Sequence, residues 1–234
     1  MNHMRKLLRL GLCTVVAVVV ILLAQQQTVH AQGTVLVFLP DAPDARSLQS
    51  ELSSALGSVS VTVLGRVKDL KKQLDASPDA TVLAPAPVLA HLGVDVALQG
   101  TRGGKTIEAM SLVRMEGTGD TIGILDLLGR KATPPFVSKL LGSTSAADLS
   151  VKRVRKNRDL RALLMLKQAD AVIVPSADAA KLVKDLGGGA SATPLDGTGV
   201  GLTSLGGAGA SKLSQAFRGL SGPLLNRLGI DGWK

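Results

Sequence analysis

The sequence predicts an α/β protein made of two similar lobes that face a common cleft. Two stretches, 60–74 and 150–164, align without a gap, and Ser, Val, Asp, Leu and Leu recur in register. Each is followed by an apolar strand that ends in proline, 79–85 or 170–175, and then by a helix that begins with small residues. A strand-helix-strand-helix unit that occurs twice is typical of paired α/β lobes whose strand ends meet at a cleft. The alternative is that any two βαβ units resemble each other this closely.

The remaining elements indicate where the chain crosses between the lobes. An apolar strand at 34–39 precedes a helix at 45–56, which a glycine ends. Two more strands are expected at 94–98 and 106–115, followed by a first crossing at 116–120. With the signal peptide that is expected at 1–31 (see below), the predicted division of the chain is lobe 1 at 32–116 plus 200–234 and lobe 2 at 117–199.

The second half of the chain supplies the matching elements. A strand at 121–126 leads to a short helix with Thr133 as its expected N-cap, because two prolines follow in what would be the first turn. The glycine-rich stretch 187–209 is interpreted as the return crossing, since a helix with one apolar stripe at 211–228 needs a lobe to pack on. A flexible linker is the alternative for this stretch.

The N-terminus has the pattern of an export signal. Three basic residues precede an apolar run at 10–24, and Val29-His30-Ala31 fits a cleavage site. The apolar run is shorter than the roughly 18–20 residues that a membrane span requires. We therefore expect a cleaved leader and a periplasmic protein, with an uncleaved anchor as the alternative.

Charge and composition limit the partners. Cleavage after Ala31 removes three of the 27 basic residues and none of the 18 acidic ones, which leaves a net charge of +6. The aromatic residues are three phenylalanines and one tryptophan, with no tyrosine. Single-stranded nucleic-acid binders need aromatic stacking platforms among their cations, so a nucleic-acid partner is not expected. The basic run 152–158 fits a solvated strand end and helix start, or else an attractor for anions at the cleft mouth.

Motifs for catalysis, cofactors and metals do not fit. The stretch 100–106 resembles a phosphate-binding loop, but three residues instead of four separate its glycines, and a strand pattern follows it. His91 would be the only histidine after cleavage, and the only cysteine would leave with the leader. A metal site and a nucleophile-base pair therefore lack candidate residues, and we expect no cofactor and no enzymatic activity.

These features together resemble a known family. The export signal, the strand-turn-helix at 34–56, the crossing near Met115, the strand at 168–175 and a C-terminal helix that returns to lobe 1 are similar to type II periplasmic substrate-binding proteins of ABC importers. The resemblance is to the phosphate/phosphonate-binding-like group. It implies a two-lobed fold in which two crossing strands act as a hinge.

The resemblance also implies where a ligand would bind. In the family, strand ends and helix N-termini contact the ligand, and helix N-termini attract anions. The matching positions in this sequence are Asp41, Ala84, Pro85, Ala86, Thr133 and Ser176. The sequence departs from the phosphonate binders because two prolines follow Thr133 directly and no tyrosine is present, which argues against a phosphonate ligand.

The function expected from the resemblance is solute capture. A monomeric, exported protein would close on a small anionic ligand and deliver it to an ABC permease at the inner membrane. The alternative is a periplasmic structural or interaction module that keeps the fold without a ligand.

Overall fold

A computed structural model of the chain describes residues 33–42, 44–117, 119–142, 149–187 and 189–234. The predicted signal peptide at 1–31 lies outside the described residues. Within them, strands and helices alternate over most of the chain, as the sequence predicts. Within these described residues no helix is long and apolar enough to cross a bilayer.

The elements have the following bounds. The strands are β1 (Thr34–Phe38), β2 (Ser60–Leu64), β3 (Thr81–Pro85), β4 (Val96–Thr101), β5 (Ile107–Met115), β6 (Thr121–Leu125), β7 (Ser150–Val154), β8 (Ala171–Pro175), β9 (Ala190–Gly201), β10 (Thr203–Gly206) and β11 (Gly232–Trp233). The helices are α1 (Ala45–Leu56), α2 (Val67–Ala76), α3 (Ala86–His91), α4 (Gly129–Leu140), α5 (Arg158–Met165), α6 (Ser176–Asp185), α7 (Ala210–Arg218) and α8 (Gly222–Arg227).

The strands form two separate sheets. The first has the order β11-β4-β10-β3-β1-β2, and the second has the order β7-β6-β8-β5-β9. In the first sheet β2, β1 and β3 are parallel, and β10 runs antiparallel between β3 and β4. In the second sheet β7, β6 and β8 are parallel, and β5 runs antiparallel between β8 and β9. The predicted α/β class is confirmed.

The doubled unit of the sequence occurs once in each sheet. β2, α2, β3 and α3 form the first copy, and β7, α5, β8 and α6 form the second. Pro85 and Pro175 end the buried strands with nearly identical backbone angles, φ −52° and ψ 137° or 136°, and each leads directly into a helix. The proline thus fixes the same sharp strand-to-helix turn in both copies, because its ring restricts φ to this region.

The helix α1 begins and ends as the sequence predicts. The Asp44 carboxylate accepts a hydrogen bond from the Ser47 amide at 3.1 Å, which satisfies a free N–H of the first turn. Leu48 and Leu52 face the sheet and are buried. Gly57 follows the last turn with φ +69°, a left-handed conformation that glycine adopts without a steric penalty.

The chain crosses between the sheets at two adjacent places. β4 and β5 belong to different sheets, so the first crossing is the turn at 102–106 and not the expected segment at 116–120. The two strands on either side of this turn do not pair with each other, because β5 pairs with β8 and β9. The second crossing is the single residue Leu202, between β9 and β10. The two crossings touch, since the Leu202 amide donates to the Thr106 carbonyl at 3.0 Å.

The prediction that Thr133 caps a helix is wrong. α4 begins one turn earlier, where the Gly129 amide donates to the Asp126 carboxylate at 2.9 Å. Thr133 lies inside the helix, and its hydroxyl donates to the Gly129 carbonyl at 2.7 Å. Pro134 and Pro135 are therefore interior residues, although proline is most favourable in a first turn. Because prolines usually occupy a first turn, the sequence placed the start of this helix at Thr133 instead of Gly129.

The predicted helix at 211–228 is two helices. α7 ends at Arg218 and α8 begins at Gly222, with Pro223 in its first turn. The residues of the expected apolar stripe still face the core, because Phe217, Leu220 and Leu224 are buried. The break therefore leaves the packing of these residues intact.

A shared hydrophobic core joins the two sheets. Leu127 and Leu128 lie in the connection between β6 and α4 of the second sheet, and they are buried among residues of the first sheet such as Phe38 and Leu70. Phe136 of α4 contacts this cluster and also the core of the second sheet. The two sheets are therefore packed against each other by apolar side chains where Leu127, Leu128 and Phe136 lie.

Candidate functional site

A cleft lies between the two sheets, next to both crossings. It has a volume of about 240 Å³, which is small among ligand pockets. Its walls come from the carboxyl ends of β3, β6 and β8, from the segment after β1, from the two crossings, and from the end of α8. Carboxyl ends of parallel strands therefore face it from both sheets, which is the usual place of a binding site in an α/β fold.

The walls of the cleft are mostly apolar. The apolar lining comprises Leu39, Met110, Ile124, Leu125, Leu127, Ile173, Val200, Leu202 and Leu228. Four charged side chains also line it, namely Asp41, Arg102, Glu108 and Arg227. Because two are cations and two are anions, the cleft has no net charge of its own.

Arg102 lies in the first crossing and bonds to both sides of the cleft. It donates to the Glu108 carboxylate of β5 at 2.5 Å and to the Gly229 carbonyl beyond α8. Its side chain is 51% exposed. A guanidinium has five N–H groups, so three remain without a partner among the described residues.

Arg227 connects α8 to the start of α1. It donates to the Ser47 hydroxyl at 3.0 Å, to the Asp44 carbonyl at 3.0 Å and to the Glu51 carboxylate. Arg227 is therefore committed to the first sheet's own helices, and Arg102 has more capacity left for a ligand.

Asp41 connects the two sheets across the cleft. Its carboxylate accepts a hydrogen bond at 3.1 Å from the amide of Asn157, which precedes α5 of the second sheet. The loop after β1 and the helix start after β7 are thus held together at the rim. The sequence predicted a ligand contact for Asp41, and this carboxylate lines the cleft while it also makes that link.

The other predicted site residues lie at different depths. Pro85 lines the cleft, whereas Ala84 is fully buried in the first sheet. Ala86 begins α3, and its amide donates to the Leu202 carbonyl of the second crossing at 3.1 Å. Its amide is therefore already used by the protein.

Thr133 and Ser176 are not among the residues that line the cleft. Thr133 is 1% exposed inside α4. The hydroxyl of Ser176 shares a hydrogen bond of 2.8 Å with the hydroxyl of Ser111 in β5. The hydroxyls of Thr133 and Ser176 are therefore both hydrogen-bonded within the protein, Thr133 within α4 and Ser176 to β5.

Sequence reasoning missed the charged residues of the cleft other than Asp41. Arg102 belongs to the polar turn between two expected strands, and Glu108 belongs to a strand that was expected in lobe 1 and that pairs within the second sheet. Arg227 lies in the C-terminal helical region, far along the chain from Ser47 and Glu51. The signal that could have identified the site is Arg102 itself, because it is an arginine in the turn that joins the two sheets.

Comparison with known proteins gives matches in structure alone. No protein-family model matches the sequence, and neither does any curated protein. XAC2383 from Xanthomonas citri bound to chloride ion is similar at a TM-score of 0.59 and 12% identity, over 86% of this chain and 90% of that one. Its structure bound to ATP gives a TM-score of 0.60 and 11% identity, over 87% and 91%.

A second neighbour is a domain of a larger protein. The VFT2 domain of Bordetella pertussis BvgS, as a double mutant, gives a TM-score of 0.53 and 15% identity, over 88% of this chain and 95% of that one. At such identities the likeness concerns the fold. The chain has the two-lobed, periplasmic-binding-protein-like α/β fold, and it crosses twice between the sheets.

The contacts of Glu51 predict a pH dependence of stability. The Ser47 hydroxyl and, secondly, the Arg227 guanidinium hold the pKa of Glu51 below its ordinary value of 4.5. An acid with a lowered pKa stabilises the folded state above its unfolded pKa, and this contribution disappears as the pH falls through its folded pKa. We expect Glu51→Gln to unfold more easily than the wild type at pH 7.

The expected effect of Glu51→Gln is small, because the carboxylate is exposed to solvent. Urea titrations at pH 7 and near pH 3 measure it, and the two proteins should converge at the lower pH. Lys71→Gln, which removes an exposed ion pair with Asp75 on α2, is the control for a pair outside this network. A difference that grows toward low pH would contradict the assignment.

Proposed function

We propose that the protein is an exported solute-binding protein that holds a small anionic solute in the cleft between its sheets. The observation that carries the proposal is the position of Arg102, a partly exposed cation in a crossing at the cleft. A charged hydrogen bond from an unused guanidinium N–H is a strong way to hold an anionic group.

The size and lining of the cleft support a small solute with an apolar part. A volume of about 240 Å³ suits a molecule below drug size. The aliphatic side chains of the wall would cover the body of the solute, and Arg102 would orient its anionic end. XAC2383, the neighbour with the same fold, is bound to an anion in each of its two structures, chloride ion in one and ATP in the other.

A thermal-shift panel tests the proposal. Phosphate, phosphonates, sulfonates and small organic acids are added one at a time, and the unfolding midpoint is measured. A ligand at 100 times its Kd stabilises the native state by about 2.7 kcal/mol, which should raise the midpoint by roughly 5–10 °C for a chain of this length. A panel without any shift would count against solute binding.

An arginine variant then locates the site. Arg102→Gln removes the cation and should weaken binding of the ligand found by about 30-fold or more, because a hydrogen bond to a charged group is lost. Arg66→Gln is the matched control, since Arg66 pairs with Asp69 on the exposed start of α2 and does not line the cleft. Equal affinities of the two variants would place the ligand elsewhere.

A second candidate function is a ligand-free module that keeps this fold. The burial of Leu127 and Leu128 among residues of the first sheet favours it, because a cleft closed by its own side chains needs no ligand to stay closed. In that case no solute of the panel changes the midpoint, and Arg102→Gln alters only the stability of the free protein.

The remaining parts of the proposal concern context. Delivery to an ABC-type importer, the phosphate/phosphonate-binding-like group, a periplasmic location and a monomeric state are supported by the export pattern and the family resemblance of the sequence. A binding role is also favoured over catalysis. His91, the only histidine after the predicted leader, is exposed at the end of α3 and does not line the cleft.

A further inference from the structure

The positive charge of the chain is concentrated in one segment. Residues 126–161 hold nine basic and three acidic residues, so their net charge is +6. This equals the net charge of the whole chain after the predicted leader. The rest of that chain is therefore neutral overall.

Three of these cations lie at an exposed edge of the second sheet. β7 is an edge strand of the second sheet, and Lys152, Arg155 and Lys156 in and after it are exposed. Among the described residues none of these three side chains makes an ion pair or a hydrogen bond. Arg153, in contrast, pairs with the Asp126 carboxylate at 2.6 Å. Free cations at an edge are thus available to an external anionic partner.

The adjacent helix α5 combines cations with exposed apolar side chains. Arg158, Arg161 and Met165 follow a spacing of three and four residues, which puts them on one face of the helix. Leu160 and Leu164 are buried on the opposite face. Met165 is 60% exposed and Leu166 is 66% exposed, the two highest values among the large hydrophobic residues of the described chain.

We propose that β7 and the outer face of α5 form a docking surface for an anionic lipid bilayer. The proposal is independent of the solute cleft. Cations attract acidic headgroups near a membrane surface, and exposed apolar side chains beside them insert at the boundary of headgroups and acyl chains. A solvated basic face would not require the apolar pair at the end of the helix. An acidic protein partner would use the cations but would leave Met165 and Leu166 unexplained.

Vesicle binding tests the docking surface. The exported and processed chain is sedimented with vesicles of phosphatidylglycerol and phosphatidylethanolamine, or with vesicles of phosphatidylcholine. We expect binding to the first alone, and we expect it to weaken with salt, since the Debye length is about 10 Å at 0.1 M and shortens above that.

Charge variants identify the face that binds. The triple variant Lys152→Gln, Arg155→Gln and Lys156→Gln should lower partitioning by about 100-fold, because each cation near an acidic surface contributes a factor of about five. The matched control Lys68→Gln, Lys71→Gln and Lys72→Gln makes the same charge change on α2 in the first sheet. It should change partitioning by less than about fivefold. Unfolding midpoints confirm that both variants fold.

An apolar variant separates lipid insertion from simple charge attraction. Met165→Ser with Leu166→Ser should lower partitioning about tenfold, since apolar area is no longer buried. Ile107→Ser, which changes another exposed hydrophobic residue, should leave it unchanged. Equal losses for the two charge variants would overturn the proposal. Binding to polyglutamate without binding to acidic vesicles would overturn it in favour of an acidic protein partner.

Discussion

Replacing Leu127 and Leu128 together by alanine should lower the free energy of unfolding by about 4–6 kcal/mol and should open the cleft. Both side chains are more than nine-tenths buried, and a buried leucine shortened to alanine typically costs about 2–5 kcal/mol. Because they extend from the second sheet into the core of the first, their loss removes packing between the sheets. We therefore expect a larger radius of gyration by small-angle X-ray scattering and an earlier urea transition.

The control for this variant is a leucine pair within one sheet's own core. Leu48→Ala with Leu52→Ala removes packing between α1 and the first sheet, so it should destabilise the protein by a similar amount. The scattering profile of its folded state should stay that of the wild type. If the double variant at 127 and 128 also keeps the wild-type profile, these leucines do not hold the sheets together.

A valine at position 201 should destabilise the protein by about 2–3 kcal/mol through the second crossing. A Cβ atom at Gly201 would lie 2.6 Å from the Cβ atom of Ala86, closer than packed carbon atoms allow. Ala86 begins α3, so the helix start or the end of β9 must move. Overpacking of this kind costs about 1–3 kcal/mol and occasionally more, and chemical denaturation of Gly201→Val measures it.

The matched control is valine at another glycine. A Cβ atom at Gly65 would meet no heavy atom within 4 Å, and its backbone is not left-handed. Gly65→Val should therefore change the free energy of unfolding by less than about 1 kcal/mol. Should both variants be equally stable, the crossing tolerates more movement at Gly201 than its close approach to α3 implies.

Local patterns in the sequence were sufficient to predict most elements. The two copies of the strand-helix-strand-helix unit follow from apolar runs that end in proline, and these signals depend only on neighbouring residues. The strand end and helix start expected within 152–158 are present, since β7 ends at Val154 and α5 begins at Arg158.

Strand partners and cleft residues could not be predicted in the same way. A polar turn such as 102–106 is compatible both with a hairpin and with a crossing, and only pairing across the sheet distinguishes them. The network of Arg227 with Ser47 and Glu51 joins α8 to α1, which are distant in the chain. No local pattern records a contact of that kind.

The division of the chain into lobes at 116 and 199 stays a prediction. So do the ligand contacts expected for Ala84, Ala86, Thr133 and Ser176, none of which lines the cleft. Thr133 shows why such positions are difficult to predict. Its neighbouring prolines suggested a helix start, whereas the Asp126 carboxylate, seven residues earlier, determines where the helix begins.

The neighbouring crossings make the second sheet an insertion within the first. All of its strands lie between Ile107 and Gly201, and these two residues are register partners in β5 and β9. Antiparallel partners have Cα atoms only about 5 Å apart, so a short peptide could join Thr101 to Thr203 in their place. The strands β1 to β4, β10 and β11 would then form a continuous chain, and the inserted half could be exchanged for another without rethreading the first.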